Sequence, residues 1–242
     1  MMNELDFAQR MLEQYYVDPV LIRKSNGATL VRYRHTATGN NLLVIESTNA
    51  NDEVYQALQN HNNPNLPKIY GVYSGPEKGM IFEEFLEGET LAQYMKDRTL
   101  SKKEVLDFCK MLLNAVRFLH EKNIIHRDIK PSNMMICDGV LKLIDFNIAR
   151  ISRPDMEGDT IALGSIGYAA PEQFGLSQSL PSTDIYAIGV LMNEMLTGRH
   201  PTEYIAPGRA GKIISKCLRI QASQRYQSID ELEKAIRRLH YR

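Results

Sequence analysis

Three cysteines in 242 residues, Cys109, Cys137 and Cys217, are too few, too far apart and odd in number for a disulfide framework. No Cys-x-x-Cys pair and no His/Cys ligand spacing accompanies them, so they are expected to be buried structural thiols in a reducing compartment. Net charge is absent as well: 29 Lys plus Arg balance 29 Asp plus Glu. That balance argues against bulk electrostatic binding to nucleic acid or an anionic membrane, while leaving room for a local basic patch. No segment approaches the ~18 consecutive apolar residues of a membrane span. The first sixteen residues mix polar and apolar side chains and lack the hydrophobic run of a signal peptide. Internal repeats, low-complexity tracts and long linkers are also missing. These absences lead to the expectation of a soluble, cytoplasmic protein with no membrane span and no nucleic-acid partner.

What is present is a chain of ordinary composition, 43% hydrophobic and 24% charged. Its length suits one large domain or two small lobes around a cleft. A chain of this size buries roughly 70–75% of its extended surface, so its core needs no covalent staples. Residues 3–16 carry Phe7, Met11, Leu12 and Tyr15 at helical spacing, which predicts a helix packed on the lobe that follows. Residues 20–46 are rich in β-branched side chains and are broken at Asn26-Gly27 and Thr38-Gly39, the pattern of a three-stranded meander. A short helix is predicted over 52–60 with Asp52 as its N-cap, stopped by Pro64 and Pro67. Two more strands, 68–73 and 80–86, are joined around Gly75-Pro76. From there the texture turns helical, over 90–96, 102–121, 183–196, 211–218 and 229–239.

Three short motifs in the second half carry the chemistry. His126-Arg127-Asp128-Ile129-Lys130-Pro131-Ser132-Asn133 is followed by Asp145-Phe146-Asn147 and then by Ala170-Pro171-Glu172. In this order and at this spacing they resemble the catalytic loop, the metal-binding triplet and the end of the activation segment of serine/threonine protein kinases of the short bacterial type. The resemblance implies an α+β, bilobal fold: a small antiparallel β-sheet N-lobe with one helix, and a larger, mainly helical C-lobe. It treats residues 1–242 as one domain, with an N-terminal helix over 1–19, the N-lobe over 20–86 and the C-lobe over 87–242. It implies that Asp128 accepts the proton of a substrate hydroxyl, that Lys130 reaches the transferring phosphate, and that Asn133 and Asp145 ligate Mg2+, with Mn2+ as an alternative ion. ATP and a protein substrate or signalling partner follow from the same likeness. So do several supporting roles. Arg127 matches the arginine that grips a phosphorylated segment containing Ser152, Thr160 and Ser165. Residues Gly164 to Tyr168 match the loop reading the residue after the acceptor hydroxyl. Glu172 should pair with Arg225, Asp184 should brace the catalytic loop from the central helix, and His126 should stack with Phe146. Asn147 replaces the glycine of the family triplet, and is the residue next most tolerant of φ > 0.

The upstream half departs from the family. The three glycines of the phosphate-covering loop fall at Arg23, Ser25 and Ala28, with Gly27 surviving one place out of register. The lysine of the third strand, which the family pairs with a helix glutamate, is replaced by Ile45, and Glu53 is the candidate for that glutamate. Arg32 or Lys24 is the candidate cation to take that lysine's place, Arg32 because it shares a strand face with Leu30. Leu30, Leu43 and Met135 are implied to sandwich the adenine ring, and the backbone of Glu84 and Leu86 in the linker to face it. Glu83 then occupies the position beside the base where an apolar residue is usual. Two readings remain open at this level: an atypical serine/threonine kinase, and a weak or inactive pseudokinase serving as a protein-binding or allosteric module. A small-molecule phosphotransferase is disfavoured by Ala170-Pro171-Glu172 and Arg225, which belong to a protein-substrate platform.

Overall fold

A computed structural model describes residues 3–25, 27–48, 51–75, 77–153, 164–174 and 178–239. Asn26 and Pro76 of the expected turns and Thr160 of the expected activation segment lie outside them. The chain divides into two compact units, Met1–Asn62 with Pro67–Glu87, and Asn63–Leu66 with Gly88–Arg242.

In the first unit, Asn3 accepts the Asp6 N–H at 2.8 Å and opens helix α1, Glu4–Tyr15. The cap satisfies one of the donors a helix start leaves unpaired. Five strands follow: β1 (Tyr16–Ser25), β2 (Ala28–His35), β3 (Asn41–Ser47), β4 (Ile69–Ser74) and β5 (Gly79–Glu84), with helix α2 (Asp52–Ala57) between β3 and β4. They form one antiparallel sheet in the order β1-β2-β3-β5-β4. Helix α1 packs on one face through Ala8 and Leu12, against Leu42, Val44, Met80 and Phe82. The expectation that Phe7 and Tyr15 lead that packing is corrected: they are 43% and 38% exposed. A flat sheet admits a small residue such as Ala8 closer than a ring. Asp52 is likewise the first helical residue of α2 rather than its cap, which falls on Asn51.

Because side chains alternate along a strand, Leu42 and Val44 face α1 while Leu43 and Ile45 face the other way. Leu30, Ile45 and Ile81 stand in one cross-strand row of that second face, and Arg32, Leu43 and Glu83 in the next.

In the second unit, strand β6 (Glu89–Thr90), β8 (Met134–Cys137) and β9 (Val140–Leu143) make a small sheet, and β7 (Ile124–Ile125) pairs with β10 (Arg150–Ile151). The helices are α3 (Leu91–Met95), α4 (Lys102–Glu121), α5 (Pro181–Thr197), α6 (Gly208–Cys217) and α7 (Ile229–Arg237). Ser101 and Glu104 close a reciprocal capping box at the start of α4. Helix α5 begins two residues before the expected start because Pro181 suits the first helical turn. It is apolar almost all round and forms the centre of the unit. At Gly189 an added Cβ would lie 2.5 Å from the Cys217 Cβ, so the glycine is what lets α6 approach α5. Asn65, in the short segment 63–66, donates to the Leu141 carbonyl at 2.8 Å and accepts from Asn114 at 2.9 Å.

Burial pushes the Cys109 and Cys217 thiols up to about 12, as inert structural thiols require. Cys137 is half-buried, contrary to the expectation for all three. Among the described residues, no helix is long and apolar enough to cross a membrane.

Candidate active site

Three polar side chains converge on one carboxylate of the loop between β7 and β8. Asp128 Oδ2 accepts from Lys130 Nζ at 2.7 Å and from Asn133 Nδ2 at 2.8 Å. Its Oδ1 accepts from the Ser165 hydroxyl at 2.7 Å, and Lys130 also donates to that hydroxyl at 2.6 Å. Asn133 Nδ2 reaches the Asp128 carbonyl as well, at 3.0 Å. With its nitrogen so committed, the Asn133 amide turns its oxygen free, since Oδ1 has no hydrogen bond among the described residues. The Ile144 N–H donates to the Asn133 carbonyl at 2.9 Å, which ties Asp145, the next residue, to the same loop.

Asp145 has φ 69 and Arg127 has φ 69, two left-handed non-glycine residues in the loops that carry the chemistry. Such backbone costs about 1–3 kcal/mol and persists only where its surroundings impose it. The sequence led one to expect any positive φ of the triplet at Asn147. Asn147 does not adopt it, and its N–H donates to Asp145 Oδ1 at 3.3 Å.

The surroundings that impose the strain are visible. Asp184, on α5 and 1% exposed, accepts the backbone N–H groups of His126 at 3.0 Å and Arg127 at 2.9 Å. His120, on α4, bonds the same carboxylate at 2.8 Å. Gln173 clamps the other side, donating to the Arg127 carbonyl at 2.9 Å while accepting the Ala170 N–H at 2.9 Å. Arg127 Nε donates to the Ile148 carbonyl at 2.7 Å. The rings of His126 and Phe146 meet edge to face, 5.5 Å between centroids. The Glu172–Arg225 pair forms as expected, as a fork of two bonds of 2.6 and 2.7 Å around a fully buried guanidinium.

Burial raises the carboxyls of Asp128, Asp184 and Glu172, but their partners outweigh it. Hydrogen bonds from Lys130 and Ser165 hold Asp128 below the usual carboxylate range, as those from His120 do Asp184 and those from Arg225 do Glu172. Burial pushes His126 down, against the nearby carboxylates. Each depressed carboxyl contributes stability that is complete above its unfolded value, 3.8 for Asp and 4.5 for Glu. That contribution is lost as pH falls through the lower folded values. Urea midpoints measured from pH 7 downward should therefore begin to fall below about pH 6.5, where the unfolded His126 takes up a proton that the buried ring resists, and drop steeply below about pH 5 as the carboxyls add their losses. A level profile through pH 3 would contradict these assignments.

The first unit carries the other candidate residues. Leu30, Arg32 and Leu43 share the sheet face opposite α1. Ile45 is 5% exposed and stands between Leu30 and Ile81. Arg32 stands opposite Leu43, two residue pairs nearer the β2–β3 turn than the Leu30–Ile45 row, with its guanidinium 5.9 Å from the Phe85 ring. Its Nε is buried with no hydrogen-bond partner among the described residues. The Glu84 N–H is spent on the Lys68 carbonyl at 2.9 Å, and Leu86 is half-buried. Ser25 pairs with Ala28, so β1 and β2 are joined by a two-residue hairpin where the family's open glycine loop belongs. Gly27 supplies the turn's positive φ of 92, and its carbonyl accepts the Thr48 N–H at 2.9 Å. Met135, in the second unit, is half-buried opposite Thr90 and Lys142.

The sequence profile of the protein kinase domain matches residues 34–240, well over half of the chain. This chain belongs to the protein kinase family. Among its relatives is the serine/threonine-protein kinase PrkC of Bacillus subtilis, 35% identical over 149 residues, covering 60% of this chain and 23% of that protein. The probable serine/threonine-protein kinase PknB of Lactococcus lactis is 34% identical over 148 residues, 60% of this chain and 24% of that protein. Serine/threonine-protein kinase D of Synechocystis is 28% identical over 210 residues, 77% of this chain and 41% of that protein. The alignments thus span about a quarter of the length of the first two relatives.

As a kinase-family chain it assembles Asp128, Lys130 and Asn133 on one loop and links Asp145 to them through Ile144. The clamps made by His120 and Gln173 were not legible beforehand. His120 is one polar residue on an otherwise apolar helix face, and Gln173 reads as an ordinary neighbour of Glu172. Ser165 stood out only as one hydroxyl of a loop, with nothing in the sequence to pair it with Asp128, 37 positions away.

Proposed function

We propose that this chain is a serine/threonine protein kinase that moves the γ-phosphate of ATP, with magnesium or manganese, to a protein hydroxyl. The observation carrying this reading is the Asp128–Lys130–Asn133–Ser165 network. It holds an ionised carboxylate ready for a hydroxyl proton and a cation beside it. In this reading Asp128 is the base, and Lys130 offsets charge on the phosphate. Asn133 Oδ1 and the Asp145 carboxylate would hold the metal, which when bound compensates phosphate charge. Among the described residues, no group of three or more His, Cys, Asp or Glu could hold a metal by itself. That suits an ion taking two protein oxygens and filling its shell with water and phosphate. Leu30 and Leu43 would face the base from the first unit's sheet. Arg32 stands toward the linker end of its sheet face, so its proposed nucleotide contact lies nearer the base than the missing lysine's would.

A second reading, a non-catalytic module of kinase fold, is favoured by the apolar, buried Ile45 and the closed β1–β2 hairpin. Incubation with γ-labelled ATP and magnesium or manganese separates the two. Label on the chain or on a generic acceptor protein supports the kinase; none, from folded protein with either metal, removes it. A thermal melt adds an independent readout. Asp145→Ala should abolish the magnesium-dependent part of any nucleotide-induced shift, and an unchanged shift would take Asp145 out of the metal site.

A further inference from the structure

The loop 164–169 is tied down at both ends. At one end the Ser165 hydroxyl donates to Asp128 Oδ1 at 2.7 Å and accepts from Lys130 at 2.6 Å. At the other, the Tyr168 hydroxyl donates to the Glu194 carboxylate on α5. Between these anchors stand Ile166, 94% exposed, and Gly167, whose φ of 93 few other residues adopt. Among the described residues, the Gly167 carbonyl has one hydrogen-bond partner, the His200 ring, with Nε2 at 2.9 Å.

The direction of that bond follows from the other side of the ring. The Thr202 N–H points at His200 Nδ1 at 3.3 Å, and the Thr202 hydroxyl stands 2.7 Å from it. A backbone N–H can only donate, so Nδ1 is the acceptor of the neutral ring. The ring proton then sits on Nε2 and is donated to the Gly167 carbonyl. The turn that carries His200 is itself fixed. Asn193 of α5, fully buried, donates to the carbonyls of Arg199 at 2.9 Å and Tyr204 at 2.8 Å and accepts the Ala206 N–H at 2.9 Å. The His200 carbonyl accepts the N–H groups of Glu203 at 2.9 Å and Tyr204 at 3.2 Å. The imidazole thus projects from a turn anchored on α5, the helix that also braces the catalytic loop through Asp184. A side chain held on a rigid element can hold a loop in turn.

We propose that His200 is a positioning residue for the protein acceptor: its Nε2–H holds the Gly167 carbonyl and so keeps Ile166 and Ser165 in the arrangement an acceptor chain meets. This rests on the kinase reading, in which the loop lies against the acceptor. Among the described residues His200 bonds to none of Asp128, Lys130, Asn133 and Asp145, so its effect falls on acceptor recognition rather than on the nucleotide.

The test compares the full chain with His200→Ala, His200→Phe and His200→Gln, using γ-labelled ATP and casein as a generic acceptor, each varied in turn. Alanine removes the ring, phenylalanine keeps its bulk without the donor, and glutamine returns an amide N–H near the place of Nε2. The first two should raise the acceptor KM by about three- to tenfold, the range for one lost hydrogen bond, with the ATP KM held within about twofold. Glutamine should restore most of the loss. Hydrogen exchange gives a readout free of catalysis. The Tyr168 and Ala169 amides, both bonded to the Ser165 carbonyl at 3.0 Å, should exchange faster in His200→Phe and at the parental rate in His200→Gln. Rescue by phenylalanine equal to that by glutamine would mean bulk packing and would overturn the proposal. So would an ATP KM rising as much as the acceptor KM, an acceptor KM unmoved in every variant, or unchanged exchange in His200→Phe. A parent chain that labels nothing removes the kinase reading and the acceptor role with it, whereas a labelling parent with unmoved variants removes the role of His200 alone.

Discussion

Arg225→Ala should cost about 3–5 kcal/mol of stability, the usual loss when one partner of a buried ion pair is removed. The wild-type guanidinium is fully buried and saturated. It forks onto Glu172 and also donates to the carbonyls of Arg219 at 2.8 Å, Ser182 at 3.0 Å and Ile220 at 3.1 Å. Alanine leaves a cavity, three orphaned carbonyls and a carboxylate only 12% exposed. For a chain of this length each kcal/mol moves the melting temperature by about 2–4 °C, so a fall of roughly 6–20 °C is expected. The acid limb of the stability profile should also soften, because Glu172 loses the partner that depresses its carboxyl. Joint replacement, Glu172→Met with Arg225→Met, should recover much of the loss, since a buried pair exchanged for apolar side chains is often neutral. A single variant losing less than about 1 kcal/mol would mean that the pair is solvated rather than buried.

On the proposed kinase reading, Asp128→Asn should lower phosphoryl transfer by about a hundred- to ten-thousand-fold, the usual contribution of a positioned general base. Asparagine keeps the shape and can still accept from Lys130 and Asn133, so the fold should survive with a near-native melting temperature. What it cannot do is take a proton. The comparison with Ser165→Ala is informative because Ser165 touches the same carboxylate without being the base. Its loss removes one of the bonds that hold Asp128 down, so the acid limb of kcat/KM should move up toward the ordinary carboxylate range while the neutral rate largely remains. Equal rates for Asp128→Asn and the parent chain would remove Asp128 from the chemistry.

Much of this protein was legible from residue order alone, for physical reasons. The proposed base, cation and amide oxygen, Asp128, Lys130 and Asn133, lie within one short loop, so this part of the candidate set is local in sequence and readable there. The meander and the later helices were readable because their apolar periods differ, two against 3.6. The buried Glu172–Arg225 pair was readable because both ends lie in motifs of the family. Other features rest on distances that a linear chain does not contain. Which strand residue stands opposite Ile45 depends on register, and register places Leu30 there and Arg32 beside Phe85. Whether the β1–β2 connection is an open loop or a closed hairpin depends on the pairing of Ser25 with Ala28. The positive φ falls on Asp145 rather than Asn147, which residue type alone does not indicate.

The sequence by itself determined the family and the α+β architecture and singled out Asp128, Lys130, Asn133 and Asp145 as the candidate set, since all of these depend on residue type at short spacing. Only the tertiary structure decided that Ser165, His120 and Gln173 join Asp184 in holding that set in place. Those contacts join residues tens of positions apart, and they arise from the packing of helices and strands whose registers no local pattern specifies.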